Sequence, residues 1–169
     1  MRTYKLLDDG HRQIGAFHLP GDLFGFESGA THRLSAEAVT DSVVLLCKRR
    51  TLENLAQSDV RIARRLWAVT ARSLDHAEEH MLLLGRKTAA ERVASFLLEM
   101  DARMQASGAI NLPMTRRDIA DYLGLTLETV SRIVSQLQAE GTVVLSSARQ
   151  IRVERRSKLQ ALGSEHSLH

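Results

Sequence analysis

The sequence predicts an α+β chain with three parts: a partial N-terminal β segment, one long helix, and a C-terminal helix-turn-helix followed by a small β wing. Three observations carry that expectation. Short apolar runs separated by Gly- and Pro-containing turns are confined to the first 50 residues or so. An unbroken three-four apolar spacing runs from Val60 to Leu84. Finally, residues 116–135 hold two short helical patterns around Gly124.

Composition sets the outer limits. With 44% hydrophobic and 25% charged residues over 169 positions, the chain has ordinary globular usage, which argues against wholesale disorder. Aromatics are only 4%, so helices packed by Leu, Ala, Val and Ile are favoured. The opening MRTYKLLDDG holds no apolar leader, and no run of eighteen apolar residues occurs; a cytoplasmic protein that does not enter a membrane is expected. The single cysteine, Cys47, excludes an internal disulfide, a thiolate-only metal site and an iron-sulfur cluster held by one chain. The expected division is a β segment at 1–57, a long helix at 58–85, a helix-turn-helix domain at 86–158 and a tail at 159–169.

In the β segment, Tyr4-Lys-Leu-Leu and Gln13-Ile-Gly-Ala-Phe flank Asp8-Asp-Gly10, a hairpin signal, and Pro20-Gly-Asp22 marks a second turn. The run SVVLLC at 42–47 reads as a buried strand, which makes Cys47 a structural thiol. Three or four strands are too few to close a barrel or sandwich, so the segment reads as part of a larger β-domain whose beginning is missing. Residues 51–57 suggest a short helix, and Ser58 and Asp59 supply N-cap chemistry for the long one, which ends near Gly85. Along it Val60, Ala63, Trp67, Thr70, Leu74, Ala77, Met81 and Leu84 form an uncharged seam with coiled-coil spacing, and a homodimer is the expectation. A second line, Ile62, Leu66 and Val69, is placed to pack on the β segment. Residues 88–105 then form an amphipathic helix with Val93, Phe96, Leu97 and Met100 on one face, closed by Ser107-Gly108.

The function-bearing stretch is RRDIADYLGLTLETVSRIVS. Ile119, Leu123, Leu125, Val130 and Ile133 supply a shared core, small Ala120 permits close helix approach, and Gly124 can take the positive φ of a tight turn. Seven suitable residues in register make a helix-turn-helix. Thr126 caps the second helix, whose apolar stripe is Val130, Ile133, Val134 and Leu137. Opposite lie Glu128, Ser131, Arg132 and Ser135, spaced to share one face that can enter a DNA major groove. Arg132 suits guanine N7 and O6, Glu128 a cytosine amino group or the helix N-terminus, and Ser131 a thymine edge. Thr115, Arg116, Thr126, Thr129, Ser135, Arg149 and Arg155 are placed as backbone or supporting contacts. Gly141 stops the helix, after which 142–145 and 150–153 alternate as two strands of a wing.

Charge points the same way. Residues 1–85 carry eleven Lys and Arg against eleven Asp and Glu, whereas 86–169 carry twelve against nine. The excess gathers at Arg149, Arg152, Arg155, Arg156 and Lys158, opposed locally by Glu154, so double-stranded DNA is the expected partner.

Residues 51–156 resemble the Crp/Fnr superfamily of transcription regulators. The stretch LGLTLETVSRIVSQL carries Glu-x-x-Ser-Arg at Glu128, Ser131 and Arg132, which looks like the Fnr and FixK branches; Leu127 stands where the Crp branch has its first Arg. The stretch RTYKLLDDGHRQIGAFHLPGDLFGFESG looks especially like FixK regulators. The resemblance implies that the β segment is part of a cyclic-nucleotide-binding-like β-roll, that the long helix is the dimer helix, and that the target is an inverted repeat of TTGAT-like half-sites. It further implies RNA polymerase as a partner, activation, and control of nitrogen-fixation or microaerobic genes. With Cys47 alone the chain lacks the cysteine set of an Fnr oxygen sensor, and Phe26 and His32-Arg33 stand where a cyclic-nucleotide pocket would have an acid and an Arg-Ser pair. No cofactor is implied. Two alternatives share the sequence. One is a regulator gated by a small molecule in the β segment. The other is a zinc peptidase, because His76-Ala-Glu-Glu-His80 matches H-x-x-E-H through His76, Glu79 and His80; against it, a wet helix face also accounts for both histidines.

Overall fold

A computed structural model describes residues 1–26, 29 and 31–164. The hairpin forms as expected: β1 (Arg2–Leu6) pairs antiparallel with β2 (Arg12–Phe17), and Gly10, at φ +81°, turns the chain between them. A third strand, β3 (Ser35–Glu37), pairs with the other edge of β1, giving the order β2-β1-β3. A register shift at Gly15, where Tyr4 pairs with Ile14 but Thr3 with Ala16, lets β2 bury both Ile14 and Phe17 although they are three residues apart.

The run at 42–47 corrects the sequence reading. It is neither strand nor buried: Val43, Leu45 and Leu46 are almost fully exposed, and Cys47 is exposed with them. An apolar run becomes a strand only where a neighbouring strand and a covering layer exist, and among the described residues Ser42 to Cys47 meet neither.

Two helices follow, α1 (Arg49–Ser58) and α2 (Val60–Arg86). Asp59 caps α2 by accepting from the Arg61 N–H at 2.8 Å. The 27 residues of α2 make a rod about 40 Å long. Its second apolar line, Ile62, Leu66 and Val69, is half-buried, and the principal neighbour of α2 is α1 rather than the β-sheet expected from sequence.

After a short link at Lys87 and Thr88 comes α3 (Ala89–Arg103). Its start is a capping box, with Thr88 N–H donating to the Glu91 carboxylate at 2.6 Å and Glu91 N–H to the Thr88 hydroxyl. The stripe Val93, Phe96, Leu97 and Met100 is buried as its spacing requires. Then come β4 (Ala109–Asn111), α4 (Arg116–Leu123), α5 (Leu127–Ala139), β5 (Val143–Leu145), β6 (Gln150–Val153) and α6 (Arg156–Ser164). The second sheet has the order β4-β6-β5. One core joins α3, α4, α5 and the wing, and it extends to the hairpin. Phe17 packs against Tyr122 at 5.3 Å and Phe96 at 6.2 Å between ring centroids.

Two elements escaped the sequence reading. β4 extends the wing to three strands by pairing with β6, and α6 occupies 156–164, most of what was expected as a tail. Leu159 is buried, and Gly163 lies so close to α3 that a Cβ there would sit 3.4 Å from Leu98 Cδ1 and Ser95 Oγ. The C-terminal domain therefore runs at least to residue 164; the remaining residues expected as tail lie outside the described ones.

Candidate nucleic-acid interface

The helix-turn-helix assembles from local signals. Thr115 and Asp118 form a capping box at the start of α4: the Asp118 carboxylate accepts from Thr115 N–H at 3.0 Å and from its hydroxyl at 2.8 Å. Gly124 ends α4 in the left-handed conformation, φ 61° and ψ 41°, with its N–H donating to the Ala120 carbonyl. Leu125 N–H donates to that same carbonyl at 3.0 Å, which draws the chain round into α5. Thr126 then caps α5 by accepting from Thr129 N–H at 3.2 Å. Ile119, Ala120, Leu123, Val130 and Ile133 are buried and Leu125 is half-buried, so α4 and α5 share a core as expected.

On the far side of α5 the side chains of Glu128, Arg132 and Ser135 are exposed, with Ser131 half-buried at the edge of that face. Arg132 makes no ion pair among the described residues, so its guanidinium is available to a ligand. Glu128 is held below the usual carboxylate range first by its own backbone N–H, then by the Thr126 hydroxyl and by nearby Arg117. It is ionised, and it both supports the helix start and faces outward.

The supporting residues divide. Thr126 and Thr129 bond to each other through their hydroxyls at 3.1 Å and serve the cap, and Thr115 serves the other cap. Arg116 is half-buried and lines a small cavity with Ile119, Val130 and Ala148, where burial lowers its pKa. Its neighbour Arg117 is exposed and close enough to influence Glu128, and it is the more accessible cation. Its position in the first turn beside a cap was the available signal.

In the wing, Ser147 accepts from the N–H groups of Arg149 and Gln150, closing the tip. Of the five basic residues that drew attention in sequence, three are already paired: Arg152 with Glu154, Arg156 with buried Asp101, and Lys158 with Glu140 at 2.6 Å. The opposition is thus wider than local Glu154, because Asp101 and Glu140 arrive from distant helices. Arg149 and Arg155 are exposed and make no ion pair among the described residues.

Along α2, Val60, Trp67, Leu74 and Met81 are exposed by 62, 77, 58 and 65%. These are alternate members of the seam, seven residues apart. Of the other seam positions, Thr70 and Ala77 are exposed while Ala63 and Leu84 are half-buried.

His76 and His80 do not lie on a wet face. His76 Nε2 is 3.1 Å from Glu99 and 3.2 Å from the Tyr122 hydroxyl, while His80 Nε2 meets the Tyr122 carbonyl at 2.9 Å and its ring stacks on Tyr122 at 4.1 Å. Burial lowers the pKa of His80 and raises that of Tyr122. Among the described residues, no group of three or more metal-ligating side chains is brought together, and Glu79 forms no such set with the two histidines.

Comparison with known proteins places these features in a lineage. Residues 91–162 match the Crp-like helix-turn-helix domain. The chain is 48% identical over 169 residues to the nitrogen fixation regulation protein FixK of Azorhizobium caulinodans, covering 97% of this chain and 68% of that protein. Against FixK of Rhizobium meliloti it is 41% identical over 162 residues, covering 96% and 74%. The solved structure of FixK2 from Bradyrhizobium japonicum superposes with a TM-score of 0.90 at 64% identity, covering 95% of this chain and 81% of that one.

Proposed function

The chain belongs to the Crp/Fnr family of transcription regulators, in its FixK-like branch, and from that premise we propose that it reads an inverted repeat of TTGAT-like half-sites as a homodimer. It is a DNA-binding transcription activator of nitrogen-fixation or microaerobic genes. Its relatives are transcription regulators, and no described helix is long and apolar enough to cross a membrane. We assign the work to the cytoplasm, with RNA polymerase as the partner that converts binding into activation.

One observation carries the reading: Glu128, Ser131, Arg132 and Ser135 lie along one side of α5 while Val130, Ile133, Val134 and Leu137 anchor the other. A helix so mounted offers a guanidinium, a carboxylate and hydroxyls to base edges without disturbing its own core. Arg132 donates to guanine, Glu128 accepts from cytosine, and Ser131 and Ser135 fill the flanks. Arg117, Arg149 and Arg155 neutralise phosphates and set register, with Thr115, Thr126 and Thr129 keeping the helix starts in place and Arg116 supporting them. The organisation that goes with this is a β segment at 1–57, a dimer helix at 58–85 with the seam Val60, Ala63, Trp67, Thr70, Leu74, Ala77, Met81 and Leu84, and a reader from 86 onward.

The test is base-specific. Arg132→Ala is expected to cost about 1–3 kcal/mol on the selected repeat and to relax preference at one base pair. Arg155→Ala is expected to weaken every duplex alike and to flatten the salt slope by about one. Titrations on selected and random duplexes at several salt concentrations separate the two. Equal losses on all sequences for Arg132→Ala would refute base reading.

A further inference from the structure

The reader, α4 with α5, is held to the rest of the chain through two sets of contacts on α4. At the C-terminal end of α4, Arg92 donates to the carbonyls of Leu84, Lys87 and Leu123 at 2.7 to 2.9 Å, and His80 reaches the Tyr122 carbonyl. This end is tied to the long helix and to the link after it. The side of α4 that carries Asp118 and Asp121 is tied to the β-hairpin by charge, and Gln13 of the hairpin also donates to the Tyr122 carbonyl at 3.2 Å. Arg12 Nη2 lies 2.7 Å from Asp118 Oδ1 and 2.7 Å from Asp121 Oδ2, with Nε at 2.9 Å from the latter. Arg2 also contacts Asp118 Oδ1 and bonds to Glu37 of β3 at 2.6 Å. The side chains involved are largely shielded, with Asp118 only 4% exposed and Arg2, Arg12 and Asp121 13 to 21%. Such pairs are screened by salt far less than surface pairs.

Contacts along one side and at the C-terminal end together fix the direction and the roll of a short helix. α4 passes its orientation to α5 through the Gly124 turn and the shared core, so a shift or roll of α4 after release of its Asp118 and Asp121 side would move the exposed face of α5 as one body. Bidentate base contacts tolerate little of this, because hydrogen bonds weaken steeply with misalignment. We infer that Arg12, assisted by Arg2, is a positioning residue for DNA recognition: through Asp121 and Asp118 it fixes the angle at which α5 meets the groove. Arg12 touches no base; it acts through α4. This rests on the proposed DNA reading and adds a specificity determinant more than a hundred residues before the recognition helix.

Asp121 gives the cleaner probe, because Asp118 also serves the capping box. Arg12→Gln removes a positive charge and Asp121→Asn a negative one, so a simple field effect on DNA would shift affinity in opposite directions on every sequence. Positioning requires both variants to lose the same affinity for the selected repeat, about ten-fold if one bidentate contact is misaligned, and to keep random-duplex binding within two- to three-fold. The double variant Arg12→Gln with Asp121→Asn is expected to lose no more preference than either single variant, because both residues act through one pair. Measurements use the whole chain with a wild-type circular dichroism spectrum; if one single variant does not fold, the double variant decides, supporting the pair by a loss equal to that of the other single variant and overturning it by a larger loss or by wild-type preference. Opposite-signed changes, or no change in either single variant, would overturn the inference. A wild-type chain without preference for the repeat would refute the DNA reading itself, and the positioning role with it.

Discussion

His18 shows how one side chain links protonation to the packing that holds the reader. Its ring stacks on Phe24 at 4.3 Å and Nε2 lies 3.0 Å from the Thr3 hydroxyl. Burial pushes its pKa down to about 4; Asp22 opposes this, while the N-terminal ammonium, Arg103 and His76 reinforce it. The folded ring is therefore neutral where an unfolded histidine, near 6.5, has begun to protonate. A depressed folded pKa contributes stability that is present above about pH 6.5 and is lost as pH falls toward about 4. His80, lowered by burial, and Glu99 and Asp101, held low by their partners against burial, act with the same sign. The thermal midpoint is expected to drop between pH 7 and 4.5, and His18→Gln to flatten the upper part of that drop. Parallel curves for the two proteins would show that His18 is not the group responsible.

Elements were legible where their signals are local. The hairpin follows from Asp-Asp-Gly, the long helix from its apolar spacing, and the helix-turn-helix from seven positions within twenty residues; the fold honours each. Gly124 allows that reading to be tested. A Cβ at this position would meet Arg92 Nη1 and Leu84 Cδ2 at an ordinary 3.5 Å, so the penalty for Gly124→Ala comes from φ +61° and not from a clash. It is expected to be about 1–2 kcal/mol, read as a lower denaturation midpoint at unchanged slope. Features that depend on partners far along the chain stayed hidden. The 42–47 run has strand composition but no neighbour, α6 is short and opens on charges that read as a tail, and Arg156 looked free because Asp101 lies 55 residues earlier. The accessibility of the α5 face was readable, being helical geometry; the arginine clamp on α4 was not, because it spans over a hundred residues. Leu159→Ala tests α6: burying this side chain fully on α3 implies a loss of about 2–5 kcal/mol, and an exposed tail implies none.

At the scale of the whole molecule, the long helix carries an uncovered stripe that suits the proposed homodimer. Val60, Trp67, Leu74 and Met81 recur every seven residues and are all more than half exposed, while the intervening seam positions are small or uncharged. That is the pattern by which two parallel helices interlock, each supplying the cover the other lacks. Such pairing presents two α5 helices related by a two-fold axis, which is the symmetry of an inverted repeat. Trp67 is the chain's one tryptophan and sits on the stripe at 77% exposure, so its emission reports the contact directly. Dilution of the wild-type chain is expected to red-shift that emission as the dimer separates. Leu74→Asp would place two carboxylates face to face in the seam and is expected to sediment as a monomer, with red-shifted emission at every concentration. Because two half-sites then lose their linkage, affinity for the full repeat should fall by about a hundred-fold or more, while affinity for a single half-site changes little. A Leu74→Asp chain that still sediments as a dimer would show that the seam lies elsewhere, and with it the geometry by which the two recognition helices reach one site.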